Sequence, residues 1–289
     1  MKINILVLGG SGFLGSYLCN RLACNKKYKV TNFDIKKNKN IDNKVKYIKG
    51  NILNYNLLKK YISKSNIVFH FAGISDIGTA SNNPIEVVKK NILSSTYILN
   101  LCVKYKIKKF IFASSIYVYS ASGSFYRISK TSVEDLIQEF HQKHKLNFLI
   151  LRFGSLYGDF APKTNGINRI LYNLKFNKKL IYSGNIKARR SYIHVDDAAI
   201  LSIKLISNKF RNNIYNITGK KDVSISSLLN NLKIKFNIQK KPKFLNIKDN
   251  NHYTFTPYTF KPKKDIFLKA SNEKEFYKEL MKVYSNIKK

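Results

Sequence analysis

Three observations predict an α/β fold built on a doubly wound parallel sheet. Short β-branched runs alternate with longer helical patterns through the first half of the 289 residues, as βα units do. A glycine-rich turn, Gly9-Gly10-Ser11-Gly12-Phe13-Leu14-Gly15, follows the first apolar run and opens the first helical one. An acid, Asp34, closes the second apolar run nineteen residues after Gly15.

Strands are expected at residues 3–8, 29–33, 45–48, 67–71, 109–113 and 148–151, all rich in Ile, Val and Phe. Helices at 12–23, 55–62, 84–105 and 124–144 lie between them, with Pro84 suited to a first turn. The second half is less regular. It predicts a helix near 166–176, a strand near 191–195, a helix over 196–206, a strand at 213–217 and a helix after Ser224. Pro242, Pro257 and Pro262 mark 239–265 as irregular, and an amphipathic helix is expected over 273–284. These elements divide into a Rossmann-type dinucleotide domain, 1–152 joined by about 187–210, and a smaller interleaved C-terminal substrate domain, 153–186 with 211–289.

The formal net charge is +37. A basic balance of this size suggests nucleic acid, yet only seven of the 53 basic residues are arginine and the lysines run evenly from Lys2 to Lys289. Base and phosphate recognition favours arginine forks, so no specific nucleic-acid partner is expected. Weak, salt-sensitive attraction to anionic surfaces is compatible with the charge. Cys19, Cys24 and Cys102 are odd in number and widely spaced, which predicts free thiols in a reducing compartment. The first apolar run is too short to cross a membrane and glycines follow it, so a soluble cytoplasmic protein without membrane insertion is expected. Five scattered histidines at 70, 141, 144, 194 and 252 lack ligand spacing, and no metal is expected.

The glycine turn carries the first chemical reading. Glycines at 9, 12 and 15 let the chain turn, let backbone approach a pyrophosphate and let helix pack on strand. The helix N-terminus then presents N–H groups and partial positive charge to phosphates. Asp34 can accept a hydrogen bond from a ribose 2′-OH and repels a 2′-phosphate, so NAD is favoured over NADP, although Lys36 and Lys37 stand close by. The second reading comes from Tyr126-Arg127-Ile128-Ser129-Lys130, eleven residues after Ser115. On a helix, Tyr126 and Lys130 share a face, and an ammonium there is expected to pull the phenol pKa down from about 10. Such a phenol suits alcohol oxidation or ketone reduction.

Together these residues resemble the extended short-chain dehydrogenase/reductase family, in its nucleotide-sugar epimerase/dehydratase branch and most of all the UDP-galactose 4-epimerase type. The resemblance runs from residue 3 to about 235. It rests on the glycine motif, Gly50-Asn51-Ile52, His70-Phe71-Ala72-Gly73, Asn91, Ser114-Ser115, Tyr126-x-x-x-Lys130, Leu151-Arg152-Phe153 with Tyr157-Gly158, and Arg190-Ser191-Tyr192-Ile193-His194-Val195-Asp196-Asp197.

The resemblance implies a role for each. Gly9, Gly12, Phe13, Leu14 and Gly15 would wrap the pyrophosphate, Asp34 the adenosine ribose, and Asn51 with Ile52 the adenine; the family more often has Asp at the position of Asn51. Phe71, Ala72 and Gly73 would run beneath the dinucleotide, with Asn91 and Phe153 also on the cofactor side. Lys130 would hold the nicotinamide ribose, Ser115 would bond the reacting oxygen, and Tyr126 would exchange its proton. Ser155 and Arg190 would contact the sugar nucleotide, Arg190 clamping its diphosphate. In the implied reaction Tyr126 takes a sugar hydroxyl proton while hydride goes to NAD. The 4-keto sugar then rotates and hydride returns to its other face. The family also implies a homodimer, through the helices near 84–105 and 124–144, and a place in surface-polysaccharide synthesis.

Dehydratases of the family carry Asp-Glu after the active-site Ser/Thr, and sugar-acid decarboxylases keep Glu at the second position; this chain has Ile116-Tyr117. Epimerisation or plain redox remains. An NAD(P)H-dependent keto-sugar reductase is the alternative, and a non-catalytic dinucleotide-binding sensor or scaffold a second, which the intact Tyr126–Lys130 pair opposes. Three departures touch the sugar side. Only ten residues separate Ser115 from Tyr126, where most such epimerases have a longer covering loop. Ser155 replaces a common Asn, and Ser191 replaces the Asp after the clamp arginine. The segment His252-Tyr253-x-x-Thr256-Pro257-Tyr258-x-Phe260 is an aromatic cluster that either completes the substrate pocket or packs the C-terminal domain, packing being the favoured part. His70 and His194 read as packing residues, and Asp196-Asp197 as helix caps.

Overall fold

The computed structural model describes residues 2–220, 222–245, 252–255, 266–270 and 274–288. Its first half runs β1 (Ile3–Leu8), α1 (Phe13–Ala23), β2 (Tyr28–Asp34), β3 (Lys46–Lys49), α2 (Tyr55–Ile62), β4 (Ile67–His70), α3 (Ile77–Asn82) and α4 (Pro84–Val87). A π-helical turn (Val88–Leu93) leads into α5 (Ser94–Lys104), then β5 (Lys109–Ser115), a 3₁₀ turn (Ile116–Tyr119), α6 (Ser124–His144) and β6 (Phe148–Phe153). The second half adds β7 (Ser155–Tyr157), α7 (Gly166–Asn177), β8 (Ile181–Tyr182), β9 (Arg189–His194), α8 (Val195–Lys204) and β10 (Asn213–Ile217). It continues with β11 (Asp222–Ser224), α9 (Ile225–Lys235), β12 (Lys243–Phe244), β13 (Ile266–Leu268) and α10 (Phe276–Asn286).

Eight strands form one sheet in the order β3-β2-β1-β4-β5-β6-β10-β13, parallel throughout. Both faces are buried, as the unbroken apolar strands require. Ile5 and Val7 pack with Leu14 and Leu18 of α1 and Val195 and Ala198 of α8 on one face. Their neighbours Leu6 and Leu8 pack with Leu58 of α2, Ile98 of α5 and Val133 of α6 on the other. Each such side chain removed from water contributes roughly 1.5–3 kcal/mol. Strand order reverses at β1, where β2 and β4 flank it, and that switch point opens a crevice at the carboxyl ends of the strands.

Three expectations are corrected. The segment 187–210, expected to return to the nucleotide domain, divides: its strand sits in a small sheet, β11-β9-β7, while α8 packs beside α1 on the central sheet. The strand at 213–217, expected in the substrate part, is β10 and pairs with β6 in the central sheet. Local pattern marks both as strands, but pairing is decided by where the connections lead. The helix expected unbroken over 84–105 contains the π-helical turn, which offsets Asn91 into the interior. The final helix lies at Phe276–Asn286 and caps a third core built from α7, α9 and α10, including Ile170, Leu171, Leu228 and Leu280.

Two polar devices lock the parts. Lys109 opens β5 almost fully buried, and its ammonium donates to the carbonyls of Leu205 (3.2 Å), Ile206 (2.9 Å), Ser207 (2.8 Å) and Phe210 (2.7 Å), which terminate α8. Asp196 at the start of α8 accepts from Arg21 Nε on α1 (2.6 Å) and pairs with Lys274 ahead of α10. Burial works to raise its carboxyl, but those two cations overcome it and bring the pKa down to about 2.

Candidate active site

All but one of the residues expected at the site line a single cleft of about 1380 Å³ over the carboxyl ends of the central strands. Most single-ligand pockets hold roughly 300–1,000 Å³, so this cleft has room for two ligands end to end. The exception is Asn91. It is buried behind Gly73, bonding the backbone of Ile74 (2.7 and 3.0 Å) and the hydroxyl of Ser129 (2.9 Å), and it does not reach the cleft. Its part is to hold the 73–74 turn against α6.

At one end the wall is mostly backbone. Gly9 has φ +83°, and a Cβ there would lie 2.5 Å from Ala72 N; at Gly15 it would lie 2.2 Å from Gly9 O. The fold itself demands those two glycines. Gly12 is different: its backbone is ordinary (φ −69°) and an added Cβ would touch only Gly9 O, at 3.2 Å. The fold demands glycine less strictly there, since only Gly9 O would have to give, by a few tenths of an ångström. Side chains cap α2 (Asn54), α3 (Asp76), α7 (Asn165), α8 (His194) and α9 (Ser224), whereas α1, like α4, α6 and α10, has none, and it carries no acid in its first turn. Asp34 stands at the end of β2, fixed by the Ser11 N–H at 3.0 Å. An uncapped N-terminus, a side-chain-free approach at Gly12 and a carboxylate one strand away fit the pyrophosphate and ribose of NAD.

In the middle stand Ser115, Tyr126 and Lys130, all buried. The Ser115 hydroxyl lies close enough to the Tyr126 phenol to work against the upward push of burial on it. Lys130 lies one turn along α6, yet its ammonium does not face the phenol oxygen. It donates to Ala113 O (2.8 Å), sits 4.7 Å from the centre of the Phe112 ring and 5.7 Å from that of Tyr126. The expected downward shift of Tyr126 is therefore reversed. Burial pushes its pKa up to about 12, and only Ser115 works against that. Burial also brings Lys130 down to about 8, opposed by Glu134. Behind this group Glu134 accepts from the Ser114 hydroxyl and from Arg152 (3.0, 3.2 and 2.6 Å), while Arg152 donates to Tyr119 Oη (2.6 Å). That truss joins β5, the 3₁₀ turn, α6 and β6.

The far end is built from side chains. Arg190 is 8% exposed, and among the described residues tyrosines surround it: Tyr253, Tyr117, Tyr182 and Tyr192. Its guanidinium lies 4.2 Å from the Tyr253 ring centre, and one nitrogen bonds Arg189 O at 2.7 Å. A buried cation among neutral partners, open to a cleft, is a site for an anion such as a diphosphate. Ser155 lines the same end, and Tyr117 places its ring 6.3 Å from Tyr126.

Of the 252–260 cluster that sequence reasoning placed between pocket and packing, His252 and Tyr253 line the cleft, and so does Thr254, which it did not name. Tyr253 packs with Ile116 and Tyr117, Tyr117 Oη bonds His252 Nδ1 at 2.6 Å, and the Arg189 N–H ties to Thr254 O at 2.9 Å. Their aromatic density was the signal, but nothing local says which wall it joins; positions 256–260 of that cluster lie outside the described residues. Among the described residues no three acidic, histidine or cysteine side chains gather as a metal site, and no helix is long and apolar enough to cross a membrane.

Comparison with known proteins places these features. Residues 5–218 match the NAD dependent epimerase/dehydratase family. The chain is 29% identical over 262 residues to the dTDP-D-glucose 4,6-dehydratase of Dictyostelium discoideum, covering 78% of this chain and 59% of that protein, so it spans under two thirds of that relative. It is 28% identical over 255 residues to the UDP-N-acetyl-alpha-D-glucosaminuronate decarboxylase of Bacillus cytotoxicus, covering 79% and 78%. Its fold is that of the UDP-glucuronic acid 4-epimerase from Bacillus cereus, solved with UDP-glucuronic acid and NAD (TM-score 0.84, 23% identity, 98% of each chain covered).

Proposed function

The chain belongs to the NAD dependent epimerase/dehydratase family, and within it we propose an NAD-dependent nucleotide-sugar epimerase. The observation that carries this reading is the supply of carboxylates around the sugar. Of the described residues lining the cleft, only Asp34 and Asp76 are acidic, and Asp34 belongs to the cofactor end. Asp76 is committed to capping α3 through Thr79 N (2.8 Å) and Oγ1 (2.7 Å). Burial works to raise its carboxyl, but Thr79, Thr164 and the nearby His252 hold it below the ordinary range. It stays ionised and occupied. Eliminating water needs an acid and a base beside the sugar, and Ile116 and Tyr117 supply neither. Relatives that dehydrate or decarboxylate share the frame, not this wall.

The 9–15 turn, Asp34, Asn51, Ile52, the 71–73 turn, Lys130 and Phe153 would hold NAD, which would supply reversible uptake and return of a hydride. The chain's own residues do the rest. Arg190 and Ser155 hold the nucleotide sugar with one sugar hydroxyl at Ser115 and Tyr126. Tyr126 is protonated at neutral pH when nothing is bound, which makes it a proton donor to a ketone oxygen. In the reverse sense it accepts the proton of the sugar hydroxyl, with Ser115 working against the upward push of burial on its phenol. Water is kept out by Ile116, Tyr117 and Tyr253. No net redox change follows, so one bound NAD serves repeated turnovers.

The partner proposed for the chain is a second copy of itself. Ile85 (68%), Val88 (52%), Phe125 (40%) and Ile128 (45%) are exposed on the neighbouring helical run 84–93 and the start of α6, an apolar patch fit for a two-fold contact.

The experiment is to incubate the purified protein with UDP-glucose, UDP-galactose, UDP-N-acetylglucosamine and dTDP-glucose in turn and follow each by NMR. The expected result is interconversion of one pair without added NADH. Loss of water from the sugar, or stoichiometric consumption of NADH, would replace the proposal with a dehydratase or a reductase.

A further inference from the structure

The Tyr253 hydroxyl is an anomaly of the ligand-free cleft. Its ring is 5% exposed and well packed, with Arg190 over it at 4.2 Å and Tyr117 against it at 4.8 Å. Its oxygen is fully buried and makes no hydrogen bond of normal geometry. The Ser155 hydroxyl beside it only tempers the upward push that burial gives its pKa. A buried hydroxyl without a good partner is costly, and a phenylalanine would pack the same ring without it. Its backbone place is secured independently, since Thr254 O accepts from Arg189 N and His252 bonds Tyr117.

Its position says what would satisfy it. Tyr253 stands between Arg190, the anion-binding cation, and the Ser115–Tyr126 pair, which Tyr117 links to it. The span between a bound diphosphate and a reacting sugar hydroxyl is the sugar itself. The 3₁₀ turn and the short stretch to Tyr126 are too brief to wall this span, and the 252–254 segment, from far along the chain, stands there instead.

Resting on the epimerase reading above, we propose that Tyr253 is a specificity-determining residue whose hydroxyl, with that of Ser155, hydrogen-bonds a hydroxyl or the ring oxygen of the substrate's sugar. Its ring fixes the Arg190 guanidinium for the diphosphate, and its oxygen tells a nucleoside diphosphate from a nucleotide sugar. Tyr253→Phe separates these two parts, because it keeps the ring and removes only the oxygen.

The test is titration calorimetry of full-length wild type, Tyr253→Phe and Ser155→Ala, each saturated with NAD, against UDP, UDP-glucose, UDP-N-acetylglucosamine and dTDP-glucose. Both variants are expected to bind UDP within twofold of wild type, and to bind the nucleotide sugar five- to tenfold more weakly than wild type does. The ligand-free melting temperature of Tyr253→Phe is expected to be unchanged or higher, since no bond is lost. Equal binding of the nucleotide sugar by wild type and Tyr253→Phe overturns the inference and leaves the epimerase reading standing. So does an equal loss for UDP and nucleotide sugar, or a lower melting temperature, since either makes the hydroxyl a packing or diphosphate device. A wild type that binds none of the four probes removes the epimerase reading and this inference together.

Discussion

At the cofactor end of the cleft the chain offers backbone: a glycine turn, an uncapped helix start and strand ends. At the sugar end it offers side chains brought from far apart, with Tyr117, Ser155, Arg190 and Tyr253 meeting across the cleft. The first surface is set once the sheet forms, and it lies within the stretch that matches a family named for epimerases and dehydratases. The second depends on loop lengths and on which tyrosine arrives where. One fold can therefore keep its cofactor and change its substrate by altering the second surface alone.

This contrast is sharpest in the glycines. Gly15→Ala drives a Cβ to 2.2 Å from a backbone oxygen and is expected to lose more than ~3 kcal/mol of stability or fail to fold, as seen by urea denaturation. Gly12→Ala meets one atom at 3.2 Å; it should fold with near-normal stability yet lose NAD, read by mass spectrometry of released cofactor. If both behave alike, the distinction between fold-required and ligand-required glycine fails. Next in size, Tyr126→Phe is expected to lower turnover by about 10²–10⁴-fold while NAD binding stays intact, which would place chemistry at the boundary between the two surfaces.

The third prediction concerns the seam. His194 ends β9 beside Tyr157 (5.2 Å) and Tyr17 (6.3 Å), and burial, aided by Lys274, brings its pKa down to about 4. The unfolded chain takes up that proton near pH 6.5, so stability is full above 6.5 and falls as pH drops towards 4, by on the order of 3 kcal/mol. His70, brought down to about 3 by burial and Lys130, adds a slope of the same sign on the cofactor side. Urea melts of His194→Gln at stepped pH should show the shallower slope; an unchanged slope would exonerate the seam. The smallest effect is expected for Arg190→Lys. It keeps the charge but loses the planar stack on Tyr253, and should weaken UDP binding about tenfold without moving the melting temperature.

Much of the cofactor surface was legible because its signals are local. Glycine spacing, a strand-ending acid and period-two apolar runs each state their own geometry. Four things escaped. The spacing of Tyr126 and Lys130 put them on one face, but only the packed interior shows Ala113 O capturing the ammonium and burial controlling the phenol. The strands at 191–195 and 213–217 were visible, whereas their partners were fixed by chain crossings. Asn91 was expected on the cofactor side because the resemblance implied it, whereas its side chain is buried against Ile74 and Ser129. Tyr253 was conspicuous without being placeable, since its neighbours Arg190 and Tyr117 lie 63 and 136 residues away.

The order of strands also sets an order of assembly. The six strands β1 to β6 are complete by Phe153, so the cofactor floor can close while the later chain is still emerging. β10 then joins β6 and stays an open edge until β13, some fifty residues later, pairs with it. In that interval an Ile-Tyr-Asn-Ile ladder faces solvent, a template for wrong pairing between nascent chains. The roughly fifty residues between β10 and β13 are then the stretch of chain that must follow before this edge is covered.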